Sequence, residues 1–416
     1  MDIKRFEENL NKINSFSAEG RGINRLAFTE QDRNAKEYLI KIFEDEGLSV
    51  STDSVGNIIA KRAGQNDDLP SISMGSHIDT VYEGGKYDGT IGVIGALEIV
   101  KYFNENDIQT RHPVEIIVFS SEESSRFGVS TLGSGFMTGS IKDTDVKDLK
   151  DKNGKTLNET FLDNGMDLGN YHQARRGQDA LKAFIELHIE QGPVLEAEDI
   201  DIGIVEAIAA PIRVKIEITG EASHSGTTPI HYRKDALLGA AELVLFIEQI
   251  AKAEEKHGTV ATVGVMDVKP GGMNIVPGAV DMDVDIRSVS DSSKERVLDA
   301  IKKEMEKVCG ERKLTFEIET ITDQRSVSLS GELANGIKEI CDRNNITSKY
   351  MNSGAGHDAM HMAALWPTAL IFVPSKDGLS HNPDEFTEME DIHNGLEVMK
   401  ALILSLDSEV DMDESE

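Results

Sequence analysis

The stretch that organises the chain is Gly75-Ser-His-Ile-Asp-Thr80, followed closely by Tyr87-Asp-Gly89. Ser71-Ile-Ser-Met74 comes just before it and is short and partly apolar, which predicts the end of a β-strand. His77 and Asp79 fall where this strand gives way to a loop, and such loops on rigid sheets commonly carry functional groups. A carboxylate two residues from a metal-binding imidazole can fix the tautomer of the ring. Alone, the pattern is more typical of a surface loop than of a metal site, so the rest of the chain must supply further ligands.

Length and composition predict two globular domains, because 416 residues exceed a single ordinary core. The first residues resemble the start of an amphipathic helix and lack the apolar region of a signal peptide. No segment approaches the roughly 20 apolar residues that a membrane helix needs. The two cysteines, Cys309 and Cys341, exclude a disulfide scaffold and a thiolate metal cluster. We therefore expect a cytoplasmic protein without a membrane partner.

The net charge of −31 argues against a nucleic acid or an anionic membrane as partner, because the field of the protein repels phosphate. An anionic substrate would need local positive charge, from metal ions or from an arginine. The tail from Asp407 onward is acidic, and we expect it to be frayed.

The pattern of elements predicts an α/β fold interrupted by an insertion. Val114–Phe119 and Thr368–Val373 have the composition of buried strands, and strands alternating with helices indicate an α/β sheet layer. From about residue 211 to 325 the order becomes β-α-β-β-α-β, which is typical of a ferredoxin-like domain. We predict a catalytic domain formed by residues 1–210 and 328–416, with residues 211–327 inserted as an α+β domain.

Chemically active side chains recur at the predicted strand ends. Glu122 and Glu123 follow one strand, where an exposed acidic turn is the ordinary interpretation. His188 lies in an alternating strand whose polar histidine would more often be solvated. Together with His77, Asp88 and His381, these residues suit two divalent ions of the zinc or manganese type. One carboxylate can bridge the two ions, which leaves Glu122 or Glu123 as a base.

These stretches resemble the hydantoinase/carbamoylase family, which comprises N-carbamoyl-L-amino-acid hydrolases, allantoate amidohydrolases and β-ureidopropionases. That family is the amidase branch of the di-metal aminoacylase/carboxypeptidase-like hydrolases, and His188 stands where the peptidase branch uses a carboxylate. The matching stretches are G-S-H-I-D-T (75–80), G-G-K-Y-D-G (84–89), S-S-E-E-S-S-R-F-G (120–128), H-I-E-Q-G-P-V-L-E (188–196), G-E-A-S-H-S-G-T-T-P (220–229), G-G-M-N-I-V-P-G (271–278), D-I-R-S (285–288), G-A-G-H-D-A (354–359) and S-H-N-P-D-E (380–385).

The resemblance implies a catalytic domain with a central mixed sheet, an inserted dimerisation or lid domain, and two divalent ions per subunit. Zn²⁺ or Mn²⁺ is expected, and Co²⁺ or Ni²⁺ would also suit the ligands. Glu122 would be the general base, and Asp79 would orient His77. The implied ligands are His77, Asp88 and His188 for the first ion, and Asp88, Glu123 and His381 for the second.

The resemblance also implies substrate contacts and a homodimer. His224 would reach the site of the partner subunit as a hydrogen-bond donor, with Asn274 as a second donor. Arg287 would bind the substrate carboxylate, and Gln191 and Gly356 are further candidate contacts. From the residues alone, His224 is more typical of a polar surface loop, and Arg287 of a strand surface where it pairs with an aspartate.

The expected reaction is hydrolysis of an N-carbamoyl-L-amino acid to the amino acid, CO2 and ammonia. Allantoate, which carries two ureido groups, is the alternative substrate. Dipeptidase or aminoacylase activity is disfavoured by His188, and a catalytically dead dimeric binding protein is disfavoured by Glu122 and the full ligand set.

Overall fold

The computed structural model describes residues 1–408, which fall into two compact units. Unit 1 comprises Met1–Glu206, Leu329–Met351 and the chain from Gly356, and unit 2 comprises Ala207–Ser328 with Asn352–Ala355. The insertion predicted at residues 211–327 lies within unit 2, and the short segment 352–355 was not anticipated. Residues 409–416 of the acidic tail lie outside the described part of the chain.

The strands are numbered in chain order. They are β1 Ser49–Thr52, β2 Ile58–Arg62, β3 Ser71–His77, β4 Val114–Phe119, β5 Leu181–Ile189, β6 Ile202–Ile208, β7 Ala210–Thr219, β8 Ser223–His224, β9 Val260–Lys269, β10 Ile275–Val276, β11 Ala279–Ser288, β12 Thr315–Asp323, β13 Val327–Ser328, β14 Ser348–Ser353 and β15 Thr368–Val373.

The α-helices are numbered in the same way. They are α1 Ile3–Asn14, α2 Glu30–Asp45, α3 Thr90–Glu105, α4 Leu132–Thr138, α5 Asp143–Val146, α6 Leu157–Asp163, α7 Val194–Glu198, α8 Ala236–Ala253, α9 Asp291–Arg312, α10 Gly331–Asn344, α11 Ala359–Met362 and α12 Met389–Ser408.

Unit 1 is built on a mixed sheet in the order β1-β2-β4-β3-β5-β15-β6, as predicted for the catalytic domain. The four central strands, β4, β3, β5 and β15, are parallel, and the flanking pairs β1–β2, β2–β4 and β15–β6 are antiparallel. Every residue of β3, β4 and β15 is buried, and β4 and β15 have the nearly continuous apolar composition that burial on both faces requires. Parallel strands place their carboxyl ends along the same edge, where ligands of open α/β sheets bind.

The helices of unit 1 cover this sheet with apolar faces. The buried residues of α1, α3 and α12 belong to the same hydrophobic core as those of the central strands. Asp407 lies within α12, where its carboxylate accepts the backbone N–H groups of Arg111 and His112 at 3.0 and 2.9 Å. The expectation of a frayed tail beginning at Asp407 is therefore wrong for this residue.

Unit 2 has the antiparallel strand order β12-β7-β11-β9. Its chain order β7-α8-β9-β11-α9-β12 is the predicted ferredoxin-like succession. Burial alternates along β7 and β11, because one face of the sheet packs against apolar side chains of α8 and α9. A separate pair of short strands, β8 and β10, sets His224 opposite Ile275.

None of the helices within residues 1–408 combines the length and the apolar character required to cross a membrane.

Candidate metal centre

The carboxyl edge of the parallel strands in unit 1 gathers three histidines and three carboxylates. His77 is the last residue of β3 and His188 the last but one of β5, whereas Glu122 and Glu123 follow β4. Asp88 lies in the loop between β3 and α3, and His381 follows β15. The solvated alternative for His188 does not hold, because only 1% of its side chain is exposed. Of the six side chains, His381 is exposed, and the other five are buried.

Asp88 occupies the middle of this group. Its Oδ1 lies 3.3 Å from Nε2 of His77 and 3.2 Å from Nε2 of His188. Its Oδ2 lies 3.4 Å from Nε2 of His381, which is 3.3 Å from Oε1 of Glu123. The donor atoms therefore form two groups, each with all its atoms within 4.8 Å of one another, and Asp88 belongs to both. These groups coincide with the two ligand sets that the family resemblance implies.

The tautomers of the buried histidines suit metal binding. Nδ1 of His77 donates a hydrogen bond to the carbonyl oxygen of Asp79, and Nδ1 of His188 donates one to that of Ile189, both at 2.9 Å. In a neutral ring the proton is then on Nδ1, and the lone pair of Nε2 faces Asp88. The backbone N–H of Gly89 donates to Nε2 of His188 at 3.1 Å, which agrees with an unprotonated nitrogen there. Imidazole nitrogens and carboxylates aimed at common points fit divalent cations such as Zn²⁺ or Mn²⁺.

The centre has an excess of negative charge. Burial alone would raise the pKa of Asp88, but hydrogen bonds from His188, His381 and His77, which these rings make when Nε2 carries a proton, hold it well below its ordinary value. Hydrogen bonds to Asp88 and Glu123 raise the pKa of His381 to about 11. Burial opposes a charged His77, yet Glu122 and Asp88 raise its pKa well above the ordinary value. A site that draws protons onto its histidines so strongly provides the field in which a dication is stabilised.

Glu122 belongs to neither ligand group. Its Oε2 lies 3.7 Å from Nε2 of His77, and the side chain is buried. Burial and the neighbouring charge of Glu123 raise its pKa well above that of an ordinary glutamate, against the opposing effect of His77. A carboxylate with a raised pKa beside a metal centre is suited to accept and return a proton near neutral pH.

Asp79 contacts His77 differently from the prediction. Its carboxylate oxygen lies 4.0 Å from Nδ1 of His77, which is too far for a hydrogen bond, and the backbone carbonyl takes that role. The carboxylate instead accepts the backbone N–H groups of Glu122 and Glu123 at 3.1 and 3.0 Å. Burial raises the pKa of Asp79 to about 6. Asp79 therefore joins the end of β3 to the glutamate pair after β4.

A third group of possible metal ligands comprises Glu186, His188 and His357. It is not an independent site, because Nδ1 of His188 is bonded to a backbone carbonyl and its Nε2 faces Asp88. The ring of His357 packs edge-on against that of His188, with their centroids 4.6 Å apart. Glu186 accepts hydrogen bonds from Ser76 Oγ and from the backbone N–H of Ala359. Glu186 and His357 therefore lie beside His188 without forming a separate site.

Two residues of the S-H-N-P-D-E stretch hold Asp88, although no role was predicted for them. Glu385 accepts the backbone N–H groups of Tyr87 and Asp88 at 2.9 and 3.1 Å. The hydroxyl of Ser380 lies 3.0 Å from Oδ2 of Asp88 and 3.0 Å from Oε2 of Glu385. The family resemblance drew attention to this stretch. However, residue type does not reveal that Glu385 accepts backbone N–H groups from a distant loop.

Two of the predicted substrate contacts, Gln191 and Gly356, lie in unit 1. Nε2 of Gln191 donates to Oδ2 of Asp88 at 2.7 Å, whereas its Oε1 is buried without a hydrogen-bond partner among the described residues. Gly356 lies in the loop between β14 and α11.

The remaining candidates lie in unit 2. His224 and Asn274 are neighbours, because the N–H of Ser225 donates to the carbonyl of Asn274 at 2.9 Å, and both side chains are exposed. Arg287 is bonded through Nε to Asp285 at 2.9 Å and through Nη1 to the carbonyl of Gly354 at 3.0 Å. Its pairing with Asp285 is the alternative considered from the sequence.

Comparisons with known proteins agree with this geometry. Residues 74–405 match the model of the peptidase family M20/M25/M40. The chain is 38% identical over 404 residues to an N-carbamoyl-L-amino-acid amidohydrolase of Paenarthrobacter aurescens, covering 97% of this chain and 98% of that protein. It is 32% identical over 402 residues to the allantoate amidohydrolase of Escherichia coli strain K12, covering 96% and 97%.

A solved structure extends the agreement to the whole fold. The crystal structure of an amidase of the hydantoinase/carbamoylase family from Burkholderia multivorans superposes with a TM-score of 0.92 at 33% sequence identity, and the match covers 99% of each chain. The chain therefore belongs to the peptidase family M20/M25/M40 and is an amidohydrolase of the carbamoylase and allantoate amidohydrolase type.

Proposed function

We propose that this amidohydrolase cleaves the terminal carbamoyl group of an N-carbamoyl-L-amino acid, yielding the amino acid, CO2 and ammonia. The observation that carries the proposal is Asp88, whose two carboxylate oxygens face two separate sets of ligands while Glu122 remains outside both. The greater identity to the N-carbamoyl-L-amino-acid amidohydrolase than to the allantoate amidohydrolase favours this substrate class. Allantoate is the second candidate.

Two divalent ions per subunit, Zn²⁺ or Mn²⁺ with Co²⁺ or Ni²⁺ as substitutes, would be held by the two ligand groups. His77, Asp88 and His188 would bind one ion, and Asp88, Glu123 and His381 the other. The chemistry that such a pair supplies when bound is a lowered pKa for water and polarisation of the carbonyl to be attacked.

The protein groups then handle the protons of the reaction. Glu122 takes the proton of the attacking water and later delivers it to the leaving nitrogen, which its raised pKa favours. Asp79 keeps Glu122 and Glu123 in place through their backbone N–H groups. The buried, unpaired Oε1 of Gln191 offers an acceptor for an N–H of the ureido group.

Charge that develops on the ureido oxygen would be stabilised by His224 and Asn274 of the partner subunit in a homodimer. The N–H of Gly226 donates to Nδ1 of His224 at 3.0 Å, so a neutral ring carries its proton on Nε2 and can donate it in a hydrogen bond. Arg287 would exchange part of its contact with Asp285 for the substrate carboxylate, and Gly356 would be a further substrate contact.

A second copy of the chain has a suitable surface in unit 2. Strand β9 is an edge of its sheet, and it exposes Val260 and Val265 to 59% and 52%. On α8, Leu238 and Leu245 are exposed to 49% and 69%. Exposed apolar side chains beside a free strand edge favour pairing with another copy. The cytoplasmic location expected from the sequence stays a prediction.

The substrate assignment is tested by measuring ammonia release from N-carbamoyl-L-methionine and from allantoate, after chelation and after restoration of Mn²⁺. We expect faster release from the N-carbamoyl amino acid, and only with metal restored. Faster turnover of allantoate would establish the second candidate, and cleavage of dipeptides or N-acetyl amino acids in preference to both would refute a ureido substrate. Release from none of these compounds with metal bound would indicate a binding protein.

The role of His224 across a dimer is tested by mixing two inactive variants, His224→Ala and Glu122→Gln, under conditions that exchange subunits. Random exchange should restore about a quarter of the wild-type activity, because half the dimers then contain one site with both native residues. A monomer in solution, or no recovery after verified exchange, would contradict the shared site.

A further inference from the structure

Arg25 is completely buried, and it is the largest side chain of the described residues to be so. It lies in the segment between α1 and α2, in unit 1. Burial lowers the pKa of its guanidinium to about 10, so the group remains charged at neutral pH. Burying a charge is costly unless its hydrogen bonds are satisfied, so the partners of this arginine indicate what it is for.

The guanidinium connects three segments of unit 1, namely the end of α1, the loop after β3 and the start of α3. Its acceptors are the carbonyl oxygen of Ile78 for Nε (2.7 Å), those of Ile13 and Phe16 for Nη1 (2.8 and 3.3 Å), and Oγ1 of Thr90 and Oδ1 of Asn14 for Nη2 (3.3 and 3.5 Å). These acceptors lie in different directions, which suits the planar guanidinium of an arginine with its N–H donors in fixed directions. A lysine has no such group.

The backbone of Arg25 holds the same loop at a second point. The N–H of Thr80 donates to the carbonyl oxygen of Arg25 at 3.0 Å, and the N–H of Arg25 donates to Oγ1 of Thr80 at 3.0 Å. Positions 77–80 thus alternate. The side chain of His77 faces Asp88 and that of Asp79 binds the backbone of Glu122 and Glu123, whereas Ile78 and Thr80 are bonded to Arg25.

The peptide group between Asp79 and Thr80 connects Arg25 to the ring of His77. The N–H of Thr80 and the C=O of Asp79 belong to the same planar unit, so fixing the first fixes the second. That carbonyl of Asp79 accepts the hydrogen bond from Nδ1 of His77. The guanidinium holds the same loop one residue earlier, at the carbonyl of Ile78, so the side chain and the backbone of Arg25 together fix the segment that carries the Asp79 carbonyl.

We propose that Arg25 is a positioning residue for the ion held by His77, Asp88 and His188. The ion at Glu123 and His381 depends on it less, because the loop held by Arg25 meets that group only through the backbone N–H of Glu123. This inference rests on the metal centre of the proposed function. Groups that orient a metal-binding histidine from behind commonly change metal affinity by about 10–100-fold when they are replaced. We expect a loss of that size for the first ion in Arg25→Lys, which keeps the charge but replaces the fork by a single nitrogen.

The test titrates chelator-stripped protein with Co²⁺, followed by calorimetry and by the visible spectrum of the bound ion. His381→Ala isolates the first ligand group and His77→Ala the second, so Arg25→Lys is added to each background. The expected result is about 10–100-fold weaker Co²⁺ binding in the first background and a smaller loss in the second. Unchanged affinity in the first background would overturn the proposal, as would equal losses in both.

Arg62→Lys is the matched control. Arg62 is also a buried arginine of unit 1, and it donates to the carbonyl oxygen of Ile108 and to Oδ1 of Asn104. Its replacement should lower stability without changing either Co²⁺ affinity.

If Arg25→Lys does not fold, the isosteric Thr80→Val removes the acceptor of the Arg25 N–H, and it should weaken binding of the first ion by a smaller factor. Wild-type binding by Thr80→Val would then show that this loop does not set the position of His77, and it would overturn the proposal. Failure of the wild-type protein to bind Co²⁺ at all would refute the metal centre itself.

Discussion

Gly89 lies against the ring of His77, and its replacement by alanine is a direct test of the first ligand group. Gly89 precedes α3 with φ of 61° and ψ of −44°. A Cβ placed there would lie 2.4 Å from Nε2 of His77 and 2.5 Å from each of the two adjacent ring carbons. The atom in the way is therefore the nitrogen that faces the metal centre.

The size of the effect follows from these distances. Non-bonded heavy atoms settle at about 3.5 Å, so the ring must retreat by roughly 1 Å to accommodate the methyl group. Metal–ligand distances tolerate deviations of only about 0.2 Å. The native ligand geometry and an alanine at position 89 are incompatible, and a misplacement of about 1 Å in a catalytic centre typically costs about 100-fold in rate.

We expect Gly89→Ala to bind the first ion at least ~100-fold more weakly and to lose at least ~100-fold in kcat/KM. The positive φ also strains the backbone of the folded protein, which lowers the free energy of unfolding by about 1–3 kcal/mol. Metal content after dialysis at a fixed free metal concentration, ammonia release, and urea denaturation of the stripped protein measure the three quantities separately.

Gly154→Ala provides the control for backbone strain. Gly154 also has a positive φ, 82°, but nothing lies within 4 Å of the position of its Cβ. We expect a loss of about 1–2 kcal/mol in stability, with metal binding and activity intact. If Gly89→Ala retained both ions with native affinity, the contact with His77 would not constrain the centre, and the reasoning would fail.

Three further predictions concern other parts of unit 1. Glu122→Gln should lower kcat by about 10²- to 10⁴-fold while metal analysis still finds both ions, and a variant without metal would contradict the assignment of Glu122 as base. Adding metal to stripped protein at about 100 times its dissociation constant should raise the free energy of unfolding by about 2.7 kcal/mol per ion, and an unchanged melting temperature would refute binding to the folded state. Burial and the charges of Asp201 and Glu388 raise the pKa of Asp391 to about 6, above its unfolded value, so the stability that its proton contributes is present at low pH and is lost as pH rises through 6. Asp391→Asn should therefore raise the melting temperature more at pH 8 than at pH 4.5, and an equal shift at both would show that Asp391 is not perturbed.

The sequence was informative where residue type alone determines the outcome. Val114–Phe119 and Thr368–Val373 were predicted as buried strands with the bounds that they have, because β-branched runs of that length suit parallel strands buried on both faces. The positions of His77, Asp88, His188 and His381 at strand ends suggested a ligand group, and the family resemblance chose Glu123 over Glu122. The structure brings the donor atoms of these five residues together.

The sequence could not predict the hydrogen bonds that depend on backbone atoms. Asp79 was expected to orient His77 through its carboxylate, but its carbonyl does so, and nothing in residue type separates the two acceptors. Glu385 binds the backbone of Asp88 across a separation of 297 positions, which no local pattern reveals. Arg25 escaped notice for the same reason, since three of its acceptors are main-chain carbonyls.

The position of β15 between β5 and β6 has a consequence for synthesis of the protein. Roughly 180 residues separate the end of β5 from the start of β15, and a ribosome adding about 5–20 residues per second needs about 9–36 s to produce them. Throughout that interval the emerging chain holds two apolar strands whose facing edges have no neighbour, a state that invites aggregation and chaperone binding. His381 follows β15, so a nascent chain cannot complete the second ligand group before the gap in the sheet can close. Only molecules whose translation has passed this point could therefore bind both ions.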